Sequence, residues 1–384
     1  MSGVLPYGRQ TIEDDDVAAV AEALRADFLT TGPRVARFEA AFAQAVGARH
    51  AVACANGTAA LHLAMLALGV GEGDAVVVPS ITFVATANCA RFVGAEVVFA
   101  DVDPDSGLMT PQTLREAIER AGRPIRAVLP VHLRGEACDL PGLAAAAQEA
   151  GAVMVEDAAH AVGTAMRFGE GPERVGDCRR SAVTTFSFHP VKTLATGEGG
   201  MATTNDPTLA ERLVRLRSHG LIRAGDDPCW YEMAEIGFNY RMPDVLCALG
   251  LSQLAKLDRF VARRRALAAA YRRALAPLAP RVRPAESPAW SEAAPHLMSV
   301  LIDFQAAGVS RREVVERLRA RGAGSQVHYI PVHRQPYYQE RYGALDLPGA
   351  EAWYARCLSL PLYPTMADDD VGRVTDALGV ALGV

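Results

Sequence analysis

HAVACANGTAALHLAMLALGVGEGDAVVVPSITFVATANCARFVGAEVVFADV, residues 50–102, decides the fold. HAVACA (50–55) reads as a strand, and GTAALHLAMLAL after it carries the apolar spacing of a helix. DAVVVPS is a second strand, ITFVATANCARF a second helix and AEVVFADV a third strand. Parallel neighbours need a long crossover, which an intervening helix supplies, so this alternation predicts an α/β chain with a mostly parallel sheet covered on both faces. Ligands of such sheets bind at the carboxyl ends of the strands, so the polar residues just after each strand are the ones to inspect.

Outward from that stretch, RAVLPVH, a helix from Leu140 to Ala150 and AVMVEDA continue the alternation. Met242 to about Leu278 reads as one long helix that leaves the repeat, ended by the proline-rich LAPLAPRVRPAESPAW. HLMSVLIDF, the helix RREVVERLRARG and a last helix near Asp368 to Leu378 then suggest a smaller α+β domain. The expected division is a large domain over residues 12–245 and a small one over 246–384, joined by the N-terminal segment 1–11.

The 384 residues are 50% apolar and 22% charged, which excludes a disordered, collagenous or coiled-coil chain. A net charge of -5 argues against nucleic-acid binding, which needs a basic face. No uncharged apolar run reaches the roughly 18 to 20 residues of a membrane span. The start MSGVLPYGRQ lacks the basic-then-apolar order of a signal peptide. Seven scattered cysteines form no CxxC pair and fit reduced thiols in a cytoplasmic protein. There is no HExxH, and His328 and His333 read as loop hydrogen-bonders rather than metal ligands.

Only two of the 39 basic residues are lysines, Lys192 and Lys256. Arginine cannot lose its proton in a protein, whereas a desolvated lysine can and then becomes a nucleophile. Lys256, in LSQLAKLDRFVARRR, reads as a surface charge on an amphipathic helix. Lys192, in TTFSFHPVKTLATGEGGMATTND, has apolar, small and glycine flanks, a poor place for a solubility charge.

Three segments carry chemistry in a consistent order. In ACANGTAALHLA a strand turns at Asn56-Gly57 into a helix, whose free N–H groups and dipole favour a phosphate. In GAVMVEDAAHAVG, Asp157 ends an apolar strand, a costly place for a carboxylate without a cationic partner. The third is Lys192 itself, with Ser187 five residues earlier and the glycines of TGEGGM after it. A phosphate cup, an acid for a pyridinium nitrogen and a lysine for a Schiff base are the protein parts that pyridoxal phosphate requires. Ser187 adds a hydroxyl for the phosphate, and Phe83 an aromatic face for the ring. LGVGEGD (68–74) follows a helix and precedes a strand, the reverse of the order a dinucleotide site needs.

With these motifs and GFNYRMPDVLCALGLSQL, essentially the whole chain resembles the DegT-type nucleotide-sugar aminotransferases, fold-type I pyridoxal 5'-phosphate enzymes. The resemblance implies a seven-stranded-type large-domain sheet, Lys192 bound to the cofactor and Asp157 paired with its ring nitrogen. It puts Phe83 against the ring, His160 beside it, and Gly57, Thr58 and Ser187 around the phosphate. It also implies that Asn239 reaches the phosphate in a neighbouring subunit, making a homodimer with shared active sites. LPYGRQTIEDDDVAAV, RADFLTTGP, ITFVATANC and QVHYIPVH followed by QPYY look like the branch that aminates C4 of a UDP-linked 4-keto-6-deoxy sugar in pseudaminic-acid synthesis, with L-glutamate as donor. Tyr7, Asp27, Phe28, Leu29, Thr30, Gln326, Val327, His328 and Tyr329 would then line the sugar-nucleotide site. Two stretches depart from that branch. Asn56-Gly57-Thr58-Ala59-Ala60 stands where it usually has Asn-Ser-Ala-Thr-Ser, and PVHLRGEACDL (130–140) is closer to general sugar aminotransferases.

Overall fold

The computed structural model describes residues 3–169, 171–222 and 230–383; Cys229 lies outside them. Its centre is a seven-stranded sheet built from β1 (His50–Cys54), β2 (Ala75–Pro79), β3 (Glu96–Ala100), β4 (Ala127–Val128), β5 (Val153–Asp157), β6 (Val183–Ser187) and β7 (Gly200–Thr204). The spatial order is β1-β7-β6-β5-β4-β2-β3. Neighbours from β3 through to β6 run parallel, and β7 is antiparallel to both β6 and β1. Every residue of β2 is buried, as its unbroken apolar sequence requires for a strand covered on both faces. From β2 the chain first steps outward to β3 and then back to β4, so the carboxyl ends of β2 and β4 flank a switch point where such sheets hold ligands.

A second apolar core is formed around Tyr271, Val300, Leu360 and Leu378. Its three-stranded antiparallel sheet has Met298–Ile302 between Val282–Pro284 and Cys357–Leu360. The N-terminal segment runs along this unit: Leu5 N–H donates to Gly322 O at 2.8 Å and Leu362 N–H to Tyr7 O at 3.0 Å. Tyr7 is thereby carried to the carboxyl side of the large sheet.

Two expectations are corrected. The long helix is broken into Asp244–Leu254 and Leu257–Leu275. The break serves the N-terminal segment. Gln253 Nε2 donates to Thr11 O at 2.9 Å and Asp16 Oδ2 at 2.8 Å, while Lys256 Nζ donates to Asp15 Oδ1 at 2.6 Å. Lys256 is also no surface charge. It is 8% exposed and lies 2.7 Å from the fully buried carboxylate of Asp16. Burial pulls its pKa down, but the hydrogen bonds to Asp15 and Asp16 outweigh that and lift it above the usual lysine value.

Candidate active site

A cavity of about 680 Å³ opens at the carboxyl ends of β2, β5 and β6. One wall is the start of the helix Gly57–Ala67. Asn56 caps this helix, its side chain accepting the Ala59 N–H at 2.8 Å, which leaves the first N–H groups at Gly57 and Thr58 facing the opening. A Cβ on Gly57 would stand 2.7 Å from Ser187 Cβ, so only glycine lets the helix start and the end of β6 close into one cup. Gly200 on β7 lies beneath it, where a Cβ would meet the Asn56 carbonyl oxygen at 2.3 Å. Dipole, free N–H groups and the Ser187 hydroxyl make this cup fit a phosphate.

Asp157 ends β5 on the cavity floor and is 5% exposed. Its Oδ2 accepts the Thr86 hydroxyl at 2.7 Å, and its Oδ1 accepts the Ala159 N–H at 3.0 Å. Thr86 Oγ1 lies 2.7 Å from Thr82 Oγ1; with its own proton committed to the carboxylate, Thr86 accepts from Thr82. Donors thus hold both oxygens of this buried carboxylate in place on the cavity floor. Thr82 and Thr86 were not singled out in the sequence. Their signal is two hydroxyls four residues apart in an apolar segment, a spacing that puts both on one side of a helix start.

Lys192 lines the same cavity from the turn after β6, where its N–H donates to His189 O at 2.8 Å. Burial lowers its pKa to about 8, and the Asp157 charge offsets only part of that. Some of the amine is therefore neutral and nucleophilic near neutrality. Phe83 forms an exposed aromatic wall, its ring 6.1 Å from that of Tyr329. Tyr7, Gln326, Val327 and His328 come from the opposite side and also line the cavity. His328 Nδ1 is 2.9 Å from Ser359 Oγ, and burial first and Lys192 second lower its pKa to about 3. His160 is buried, with Nε2 3.1 Å from Tyr329 Oη. Glu198, on the rim, carried no signal.

One chain does not bring every expected residue into this cavity. Asp27, Phe28, Leu29 and Thr30 lie in an exposed loop between the helices Asp14–Leu24 and Pro33–Val46, and Asn239 is exposed in a bridge to Ser218. Beyond that loop the chain is held by the fully buried Asp244, which accepts the Gly32 N–H at 2.7 Å and the Arg34 N–H at 2.9 Å.

The DegT/DnrJ/EryC1/StrS aminotransferase family model matches residues 10–379. The chain belongs to that family. It is a sugar aminotransferase that uses pyridoxal 5'-phosphate, and the cup, the acid and the lysine fit that cofactor. Among solved structures it is similar to Helicobacter pylori PseC, an aminotransferase involved in pseudaminic-acid biosynthesis, with 28% identity, 99% of each chain covered and a TM-score of 0.91. S. venezuelae DesV, solved with a ketimine intermediate, shares 34% identity over 97% of this chain and 99% of its own, with a TM-score of 0.85. Spr1654 from Streptococcus pneumoniae, described as a sugar aminotransferase and solved in its PLP form, shares 25% identity over 99% of both chains at a TM-score of 0.88. Among the described residues no helix is long and apolar enough to cross a membrane, and no cluster of metal-ligating side chains occurs.

Proposed function

We propose that this chain transfers the amino group of L-glutamate to C4 of a nucleotide-linked 4-keto-6-deoxy sugar. The sugar is UDP-2-acetamido-2,6-dideoxy-β-L-arabino-hexos-4-ulose, the step of pseudaminic-acid synthesis. The observation that carries the reaction class is Lys192, its pKa lowered by burial, in one cavity with Asp157 and the glycine cup. Likeness to PseC over 99% of both chains supports the substrate. The bound cofactor supplies an electron sink through which an amino group leaves the donor and enters the sugar. Asp157 holds the ring-nitrogen proton by its charge, and Thr86 keeps that carboxylate in place. Gly57, Thr58 and Ser187 take the phosphate, and Phe83 covers the ring. Lys192 Nζ anchors the cofactor, then carries a proton off the donor and returns one to the product.

We infer further that the enzyme works as a cytoplasmic homodimer with shared sites. Residues 27–30 and Asn239 are exposed and do not line their own chain's cavity, which supports their serving the partner's. Mixing an inactive Lys192→Ala chain with an inactive Asn239→Asp chain should then restore activity. One of the two sites in a mixed dimer combines an intact Lys192 with an intact Asn239. Proven subunit exchange without rescue would exclude the shared site.

The higher identity to DesV, 34%, and the Asn56-Gly57-Thr58 turn support a second reading, a different keto sugar on UDP, GDP or dTDP, aminated at C3 or C4. A panel of UDP-, GDP- and dTDP-linked keto sugars with glutamate decides between them. The first reading expects the highest kcat/KM with the UDP-linked acetamido sugar, and a clear preference for another nucleotide overturns it.

A further inference from the structure

Arg134 sits in the PVHLRGEACDL stretch and lies outside the cavity lining. It is 5% exposed, and its backbone stands at φ 66°, a left-handed conformation that a non-glycine residue adopts only when its surroundings hold it there. The guanidinium supplies part of that hold. It donates to Ser106 O at 3.1 Å and Glu286 O at 2.7 Å, and it lies 5.6 Å from the centre of the Trp353 ring. Trp353 Nε1 in turn donates to the His328 carbonyl at 3.0 Å, one residue before Tyr329. The turn that follows is equally fixed: a Cβ on Gly135 would lie 2.1 Å from the Ala294 carbonyl oxygen.

The constrained backbone aims one N–H. Arg134 N donates to His160 Nδ1 at 3.3 Å. An amide N–H can only donate, so Nδ1 carries no proton. Burial, with Lys192 and His328 adding to it, keeps the ring from taking a second proton. His160 is therefore the neutral form with its hydrogen on Nε2, the atom 3.1 Å from Tyr329 Oη. Nε2–H donates and the phenol oxygen accepts, which leaves the Tyr329 hydroxyl proton for another acceptor. Among the described residues no other hydrogen-bond partner meets that hydroxyl, and Tyr329 lines the cavity with Lys192.

We propose that Arg134 is a positioning residue acting through His160, and that the relay presents the Tyr329 hydroxyl to the cavity as a hydrogen-bond donor for an oxygen of the molecule reacting at Lys192. This gives His160 a different task from the one the resemblance implies. It orders a neighbour rather than only flanking the cofactor ring. Because the tyrosine pKa is raised by burial, the donor keeps its proton throughout the neutral range. The relay closes on itself, from Arg134 through His160, Tyr329, His328 and Trp353 back to the guanidinium. It joins the turn after β4 to the 326–330 segment, so the donor is set by packing on both sides of the cavity.

The proposal rests on the aminotransferase reading only for which oxygen is met, and its test separates the two. Nitrogen-15 NMR of the chain without cofactor, with histidines labelled and His160 assigned by His160→Gln, should show a neutral ring protonated at Nε2 and unchanged across neutral pH. A proton on Nδ1, or a charged ring, overturns the relay whatever the substrate is. Tyr329→Phe is then compared with wild type in two ways: the pH at which the visible band of the holoenzyme titrates, and kcat/KM for the keto sugar. A donor to a cofactor oxygen moves the first; a donor to the sugar lowers the second by about tenfold or more with the first unmoved. No change in either overturns the donor role. Arg134→Met should weaken the same readout as Tyr329→Phe. His160→Gln, whose amide can still donate to Oη, should retain most of it, and His160→Leu should lose it.

Discussion

Two lysines in one chain have opposite surroundings. Lys192 stands in a cavity where its pKa falls to about 8, with Asp157 offsetting only part of the cost of burial. Lys256 is also buried, yet it touches the carboxylates of Asp15 at 2.6 Å and Asp16 at 2.7 Å, and its pKa rises. Burial therefore does not by itself make a lysine reactive. What matters is whether carboxylates are close enough to repay the lost hydration. A nucleophile is a buried amine whose counter-charge is withheld, whereas a structural lysine is one whose counter-charge is supplied.

The strongest way to break this contrast is to exchange the consequences. Lys192→Ala should lose all measurable turnover and the borohydride-trappable adduct while remaining folded. Lys256→Ala should keep both and lose stability, about 1–3 kcal/mol by urea unfolding, because Asp16 is left buried without its cation. Loss of turnover in Lys256→Ala with cofactor still bound would dissolve the distinction.

Asp157 is the next point of leverage, since its charge is what partly offsets the burial of Lys192. Asp157→Asn keeps the shape and removes the charge. Cofactor should still bind, and kcat should fall by about 10²-fold or more in single-turnover assays. Thr86→Val removes one donor to that carboxylate and should cost about three- to tenfold in kcat, with a smaller change in KM. Equal rates for wild type and Thr86→Val would mean the Ala159 N–H alone fixes the acid.

The smallest effect concerns pH. In the chain without cofactor, folded Lys192 releases its proton near pH 8, but the unfolded lysine releases it only near about 10.4. Between those values the unfolded state binds more protons, so Lys192 makes stability rise with pH. Lys192→Met removes that dependence. It should be more stable than wild type near pH 7, by a margin that shrinks towards about pH 10 in urea titrations. A constant margin would show that the amine is not desolvated.

Much of this was legible in sequence because each motif had a local cause. The strand–turn–helix at Asn56-Gly57 and the strand ending in Asp157 are properties of short segments, and the rarity of lysine is a count over the chain. What stayed hidden depends on distant partners. Lys256 meets Asp15 from 241 residues away, and the apolar periodicity through 242–278 continues across the break that brings them together. Thr86 gains its role only because β5 places Asp157 beside it, 71 residues along the chain. Nothing in PVHLRGEACDL shows that the Arg134 backbone N–H meets His160. The segments 27–30 and Asn239 lie far apart in sequence, and no sequence spacing shows which chain's cavity they serve.

The claim that withheld counter-charge makes Lys192 the reactive amine is tested most directly by where the cofactor is attached. The holoenzyme is reduced with borohydride and digested, and the pyridoxyl-modified peptide is located by mass spectrometry. The account predicts a single modified residue, Lys192, in wild type and in Lys256→Ala alike, and none in Lys192→Ala. A modified Lys256, or a modified Lys192→Ala protein, would contradict it.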